Sequence, residues 1–344
     1  MCIAIITTSH PKYPFILISN RDEYLCRPTS PAAYWDPPHN HILSGRDMER
    51  PAHGTWLGIT KGGRIACLTN FHEEDAKVVK GAVSRGVIIK NWLTTDEKPE
   101  EWAKRLVEDG ELEGVGGFTL MYGKLGELGI WDKKSAENGH VNGEGKRPSG
   151  LAILSNRTTV GSALPYIAGK ANQTIAVSNA PFGDRTWRKV IDGEALLETA
   201  IKQSVDAQED EDRLISRLLK VLSTDAMPAY DGSEEWKAYT RKMQKSVFVR
   251  SFPLQGPSSG ISGVATPLRT DSPLKGSETE QENPNVPDTS TKAGLYGTQK
   301  QTVILADNEG KVTYFERTLF DQDVNPVPKG LGDRKYEFKI EDWE

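Results

Sequence analysis

Met1-Cys2-Ile3-Ala4-Ile5-Ile6-Thr7-Thr8-Ser9-His10 is followed, after Pro11-Lys12-Tyr13-Pro14, by Phe15-Ile16-Leu17-Ile18-Ser19-Asn20-Arg21-Asp22-Glu23. Residues 2–9 and 14–20 are short β-branched runs, and the Pro-containing connection at 10–13 reads as a hairpin turn. Antiparallel pairing across that turn returns the polar corner Asn20 to Glu23 to the side of Cys2. The opening of the chain therefore sets two expectations at once. One is an N-terminal strand inside a sheet; the other is a thiol beside a carboxylate and a guanidinium.

Cysteine is small enough for an initiator methionine before it to be removed, so the mature chain is expected to begin at Cys2. A free α-amine titrates near 8 and a cysteine thiol near 8.5, so the amine can take the thiol proton and no distant histidine is needed. In that reading Asp22 orients the amine, Arg21 lowers the thiol pKa and holds an anionic substrate group, and Asn20 donates to a developing oxyanion. The competing reading is a small apolar Cys2 opening a buried strand, with the corner as a solvated turn. Two further strands end in asparagine, at Leu68-Thr69-Asn70 and Val177-Ser178-Asn179. An amide NH2 aimed at a tetrahedral intermediate contributes about 3 kcal/mol, which makes Asn70 and Asn179 the candidate oxyanion donors.

Outward from the hairpin, strand-like runs at 55–60 and 64–70 flank Lys61-Gly62-Gly63, and runs at 118–122 and 128–132 flank Gly123 to Gly126. Later strands are expected at 246–250, 302–307 and 312–317. Helical spacing marks 84–93, 96–107, 184–203 and 209–222, the last with Leu214, Ile215, Leu218, Leu219 and Leu222 on one stripe. Strands at both ends with helices between them predict an α+β chain, its sheets covered by helices, in one domain over 1–344. Residues 253–292 are rich in Pro, Ser, Thr, Gly and Glu and are expected to form a flexible surface insertion.

The 344 residues carry 43 basic and 48 acidic side chains, mostly interspersed, so no basic field favours nucleic acid. Cys2, Cys26 and Cys67 are too few for a secreted disulfide framework and point to a reducing, cytoplasmic setting. No apolar stretch reaches the roughly 20 residues of a membrane-spanning helix, which leaves peripheral membrane contact open. The Gly256 to Gly260 match to a nucleophile elbow lacks its flanking strand and helix, and Gly117 to Lys124 lacks phosphate-loop spacing. His39, His41, His53 and His72 cluster in sequence but fit no zinc-ligand spacing, so no metal ligands and no cofactor are assigned.

Together, Ser19-Asn20-Arg21-Asp22-Glu23, Gly45-Arg46-Asp47, Gly54-Thr55-Trp56-Leu57-Gly58, Leu68-Thr69-Asn70, Val177-Ser178-Asn179, Trp187-Arg188-Lys189-Val190 and Tyr296-Gly297-Thr298 resemble the NRDE-motif family of transport-and-Golgi-organisation proteins. The resemblance implies a four-layer αββα sandwich of N-terminal-nucleophile hydrolase type, with Cys2, Arg21 and Asp22 in the catalytic positions. It implies that Asn20, Glu23 and Thr298 contact a ligand, and that the ligand is a small acyl or lipid-like molecule or haem. Gln299 departs from the arginine often found there, which bears on any anion contact at that position. The resemblance further implies association with the Golgi or mitochondria and a role in secretory organisation, lipid or haem homeostasis. A hydrolase of amides or acyl thioesters and a non-catalytic carrier of haem or acyl lipid are both compatible with it.

Overall fold

A computed structural model describes residues 1–71, 84–131, 149–157, 164–231, 234–254 and 294–343. The opening hairpin forms as expected: β1 (Ile3–Thr7) pairs antiparallel with β2 (Phe15–Tyr24), Ile3 opposite Asn20 and Thr7 opposite Ile16. Then come β3 (Ala33–Tyr34), β4 (Ile42–Ser44), β5 (Leu57–Thr60), β6 (Arg64–Asn70), α1 (Arg85–Thr94), α2 (Pro99–Glu108) and β7 (Phe118–Lys124). Strands β8 (Leu151–Ser155), β9 (Tyr166–Ile167) and β10 (Thr174–Ser178) lead into α3 (Arg188–Asp206), α4 (Glu211–Leu222) and α5 (Trp236–Arg241). The last elements are β11 (Phe252–Pro253), β12 (Leu295–Ala306), β13 (Lys311–Thr318) and β14 (Asp333–Lys339).

These strands make two antiparallel sheets. The first runs β10-β1-β2-β12-β13-β14, with β11 also paired to β12, and the second runs β3 to β9 in sequence order. Alternation along β1 and β2 divides their side chains between two cores. Ala4, Ile6, Phe15 and Leu17 meet Leu57, Ile59, Ile65, Cys67 and Met121 of the second sheet. Ile3, Ile5, Ile16 and Ile18 face the other way, against Leu197 and Ile201 of α3 and Leu214 and Leu218 of α4. Burial on both faces is why β1 reads as a continuous apolar run rather than an alternating one. On the far face of the second sheet, Trp92 of α1 and Trp102 of α2 cover Leu68, Leu120 and Tyr122. The layer order is αββα, as the resemblance implies.

Two close approaches set how the layers meet. A Cβ on Gly193 of α3 would lie 2.8 Å from Ile5 Cδ1, so this glycine lets the helix settle directly on β1. Gly54 lies against the start of α1, where an added Cβ would fall 2.6 Å from the Gly86 carbonyl carbon. Backbone cannot yield there as a flexible side chain could. Gly54→Ala is expected to destabilise the protein by roughly 1–3 kcal/mol, the usual cost of overpacking. A chemical-denaturation midpoint unchanged from that of the parent would contradict this packing.

Three expected elements differ in the structure, and one strand is unpredicted. Residues 128–131 are not a strand, and 132 lies outside the described residues; a 3₁₀ turn occupies Leu125–Glu127, and β7 takes Leu151–Ser155 as its partner. Residues 246–250 are not a strand but bend at 247–248, where Val247 O accepts from the Asn20 side chain and Phe248 N donates to Thr224 O. The third helix begins at Arg188 rather than 184, since Asp184 accepts from Thr186 N in a tight turn before it. Strand β14, an edge strand dense in charge, escapes a hydrophobicity pattern altogether. Within the stretch expected to be an insertion, Pro253 pairs with Leu295 in the β11–β12 ladder; 255–292, including the Gly256 to Gly260 match, lie outside the described residues. Gly117 to Lys124 is strand β7 and its lead-in, not a phosphate loop.

Candidate active site

The antiparallel registers explain what surrounds the chain start. Ile3 stands opposite Asn20 on one side and Ser178 on the other, so one step further along Cys2 lies opposite Arg21 and Asn179, and Met1 opposite Asp22. Residues directly opposite share a face. Cys2, Arg21 and Asn179 therefore belong to the mouth between the two sheets, like Ala4 and Val177. Met1 and Asp22 belong to the face under α3. The sequence places Arg21 and Asp22 together at the thiol; strand alternation instead assigns them to opposite sides of it.

On the thiol side, half-buried Cys2 is fixed by the Asp22 backbone: Asp22 N lies 3.4 Å from Sγ, and Sγ lies 3.5 Å from Asp22 O. The Ser178 hydroxyl donates to Cys2 O at 2.7 Å. Burial pushes the Cys2 thiol up, while the nearby ammonium and, more weakly, Arg21 pull it down. Arg21 is itself committed. Its guanidinium stacks 4.7 Å from the Trp56 ring, lies 3.6 Å from Asp47 Oδ2 and donates to Gln299 Oε1. Gln299 also donates to Leu25 O and Arg27 O, so the residue that departs from the family pattern here serves as the acceptor for Arg21.

The asparagines meet as a pair. Asn179 Nδ2 donates to Asn70 O, bridging the ends of β10 and β6 across the mouth, while Asn179 Oδ1 is buried with no hydrogen-bond partner. The second Nδ2 hydrogen is the group that could face an oxyanion. Asn20 does not join them. It is fully buried on the helix side, where its NH2 donates to Leu222 O at 2.7 Å and Val247 O at 2.8 Å, so it ties sheet to helices. Glu23, expected to touch a ligand, is partly exposed opposite Gly297 and accepts from Tyr24 N.

On the amine side the structure adds two groups that the sequence reading left without roles. The Met1 ammonium donates to the Tyr296 hydroxyl and stands 3.5 Å from Asp22 Oδ2, and Tyr296 donates on to Asp22 O at 3.1 Å. Lys189 is fully buried, donates to Met1 O at 2.6 Å and lies 3.6 Å from the same Asp22 oxygen. Thr298, expected to touch a ligand, is buried and gives its hydroxyl to Asp22 Oδ1 at 2.7 Å while accepting from Val249 N. Its place is behind the carboxylate. Lys189 reaches this point because Gly193, one turn on along the same helix face, lies flush on Ile3 and Ile5. A readable signal existed, since a lysine on the stripe Lys189, Gly193, Leu197, Ala200, Ser204 interrupts an otherwise small or apolar face.

Burial lowers the α-ammonium below its ordinary 8.0 and Lys189 below its ordinary 10.5, against the pull of Asp22 in both cases. A lowered folded-state value means that the unfolded chain binds more protons in that interval, so stability rises as pH climbs towards 8. The raised Cys2 acts oppositely only near and above its ordinary 9.0. In the chain that retains Met1, the melting temperature is therefore expected to rise as pH climbs through neutrality towards 8. A melting temperature that falls across this range would contradict the buried amine.

Among the described residues no group of three or more His, Cys, Asp or Glu is arranged to hold a metal ion. The His39 and His41 rings lie 6.3 Å apart, and His72 is outside the described residues. No helix among the described residues is long and apolar enough to cross a membrane.

Comparison with known proteins agrees with the motif reading. The chain is 30% identical to the Transport and Golgi organization protein 2 homolog of Bos taurus over 312 residues, covering 90% of this chain and 88% of that one. It is 28% identical to the homolog of Homo sapiens over 330 residues, covering 96% and 94%. Among solved structures, a penicillin V acylase from Agrobacterium tumefaciens aligns over 98% of this chain and 86% of its own at 13% identity and a TM-score of 0.34, and no residue role is carried over from it. The family model described as Transport and Golgi organisation 2 matches residues 1–321, and the chain belongs to that family.

Proposed function

We propose that this chain, once Met1 is removed, is an N-terminal cysteine hydrolase of amides or acyl thioesters, acting on a small acyl or lipid-like ligand. One observation carries the reading: beside the Cys2 thiol, a buried carboxylate stands at the Met1 ammonium and a buried lysine donates to the Met1 carbonyl. Loss of Met1 leaves the Cys2 amine one bond from where Met1 C now sits, within reach of the groups that hold Met1. Asp22, held by Thr298, orients that amine, and the Lys189 cation and burial keep it unprotonated near neutrality.

The amine accepts the Cys2 proton and the thiolate adds to the acyl carbon. The oxyanion faces the free Nδ2 hydrogen of Asn179 and the guanidinium side of the mouth. Collapse returns the proton to the departing nitrogen or sulfur and leaves a thioester on Cys2. Water, deprotonated by the same amine, then releases the acid and restores the thiol. Arg21, already stacked on Trp56, favours an acid-bearing ligand through its remaining donors. The relatives' name supports placing this chemistry in the upkeep of secretory membranes.

The test uses a chain extended by a few residues ahead of Met1, which cannot expose the Cys2 amine. Native protein is expected to release acid from an acyl thioester or amide in a burst, and the extended protein to release none. Equal turnover by both would overturn the mechanism. Saturable acyl-ligand or haem binding without turnover in either would leave a carrier in its place.

A further inference from the structure

At the end of β12 remote from Tyr296, a cavity of about 180 Å³ opens between the C-terminal segment and the turn after β7. Seven strand steps along β12 run from Gln299, beside Arg21, to Ala306, so this site lies more than roughly 20 Å from Cys2 at about 3.3 Å per strand residue. Two tryptophans form its corner, Trp131 and Trp343, with ring centroids 4.7 Å apart and planes at 75°. Both indole N–H groups are spent on backbone, Trp131 on Leu125 O and Trp343 on Asn308 O, which fixes both rings in the wall of the cavity. Gly310, at φ +77°, makes the seat for Trp343, since a Cβ there would fall 2.4 Å from the indole. Three carboxylates, Glu127, Glu341 and Asp342, share the lining with one ammonium, Lys124.

We propose that this corner binds a quaternary ammonium group, in the form of a phosphocholine-type head. Fixed tryptophan faces attract a large, weakly hydrated cation through the ring quadrupole, and the carboxylates add to that attraction. Tryptophan offers no lone pair to a small metal ion, and the cavity is below the roughly 300 Å³ of a drug-sized pocket. Lys124 decides between cations: a zwitterion can set its phosphate on this lysine, whereas a methylated lysine side chain of a peptide brings no such group. The source of the head, a free small molecule or a lipid surface, is a matter for the measurement.

Isothermal titration of the full chain with phosphocholine is expected to saturate. The neutral isostere 3,3-dimethylbutanol should bind at least about 10-fold more weakly, because it lacks the charge on which cation–π attraction depends. Trp343→Leu should abolish the signal. Glu127→Gln with Glu341→Gln, two exposed positions at which the fold is retained, should weaken both choline and phosphocholine several-fold, and Lys124→Gln should weaken phosphocholine alone. Sedimentation with phosphatidylcholine vesicles, reversed by free phosphocholine, assigns the head to a lipid surface; its absence assigns a free ligand. No saturation by phosphocholine, equal binding of the isostere, or tighter binding of a trimethyllysine peptide would overturn the proposal.

Discussion

Cys2→Ala is expected to lower turnover of an acyl thioester or amide by roughly 10³-fold or more, as removal of a covalent nucleophile does elsewhere. The same substitution should change stability by less than about 1 kcal/mol, because the residue is half-buried and its sulfur makes only weak contacts with the Asp22 backbone. The two readouts separate a nucleophile from a packing residue. A variant that keeps its turnover makes Cys2 a small apolar strand opener; one that loses turnover and melting temperature together would be uninformative about chemistry, so Cys2→Ser serves as the companion. Serine preserves size, and with a poorer nucleophile it should retain the fold while turnover still collapses.

The second large effect is expected at Lys189. Its ammonium is fully buried beside Asp22, and Asp22 Oδ2 has no hydrogen bond to fall back on. Lys189→Met keeps the aliphatic stem and removes the charge, leaving the carboxylate short of a counterion. Breaking a buried pair from one side costs about 3–5 kcal/mol, much of it the desolvation of the partner left behind. Asp22→Asn in the same chain should recover a large part of this loss, since the amide still accepts from Thr298 and no longer needs a cation. A single Lys189→Met variant with a denaturation midpoint matching the parent would mean that the lysine is not paired as described. In a processed chain the same substitution should also raise the pH at which turnover begins, because one cation beside the amine has gone.

The legible and illegible parts of this molecule divide along physical lines. The opening hairpin and its register follow from two β-branched runs and a proline turn, and they alone bring Arg21 and Asp22 to Cys2. Helices α2 to α4 carry their apolar stripes openly, with errors only at their ends, as at the Asp184 turn. Side-chain direction was harder. Asn20, read as an oxyanion donor, points under the helices because it is one residue out of phase with Arg21. Thr298 supports the carboxylate and does not reach the mouth. Lys189 and Tyr296 come from segments remote in sequence, and only helix α3 lying on β1 brings the first of them to the chain start. Edge strands such as β14 were invisible because solvent-facing charge masks their alternation.

The most direct measurement is an intact mass spectrum of the purified protein before and after exposure to an acyl thioester, with the modified peptide mapped. The expected result is a chain one methionine lighter than its gene product, which gains one acyl group on Cys2 and loses it again on standing in water. A chain that keeps Met1, or that loses it and takes up no acyl group at Cys2, would contradict it.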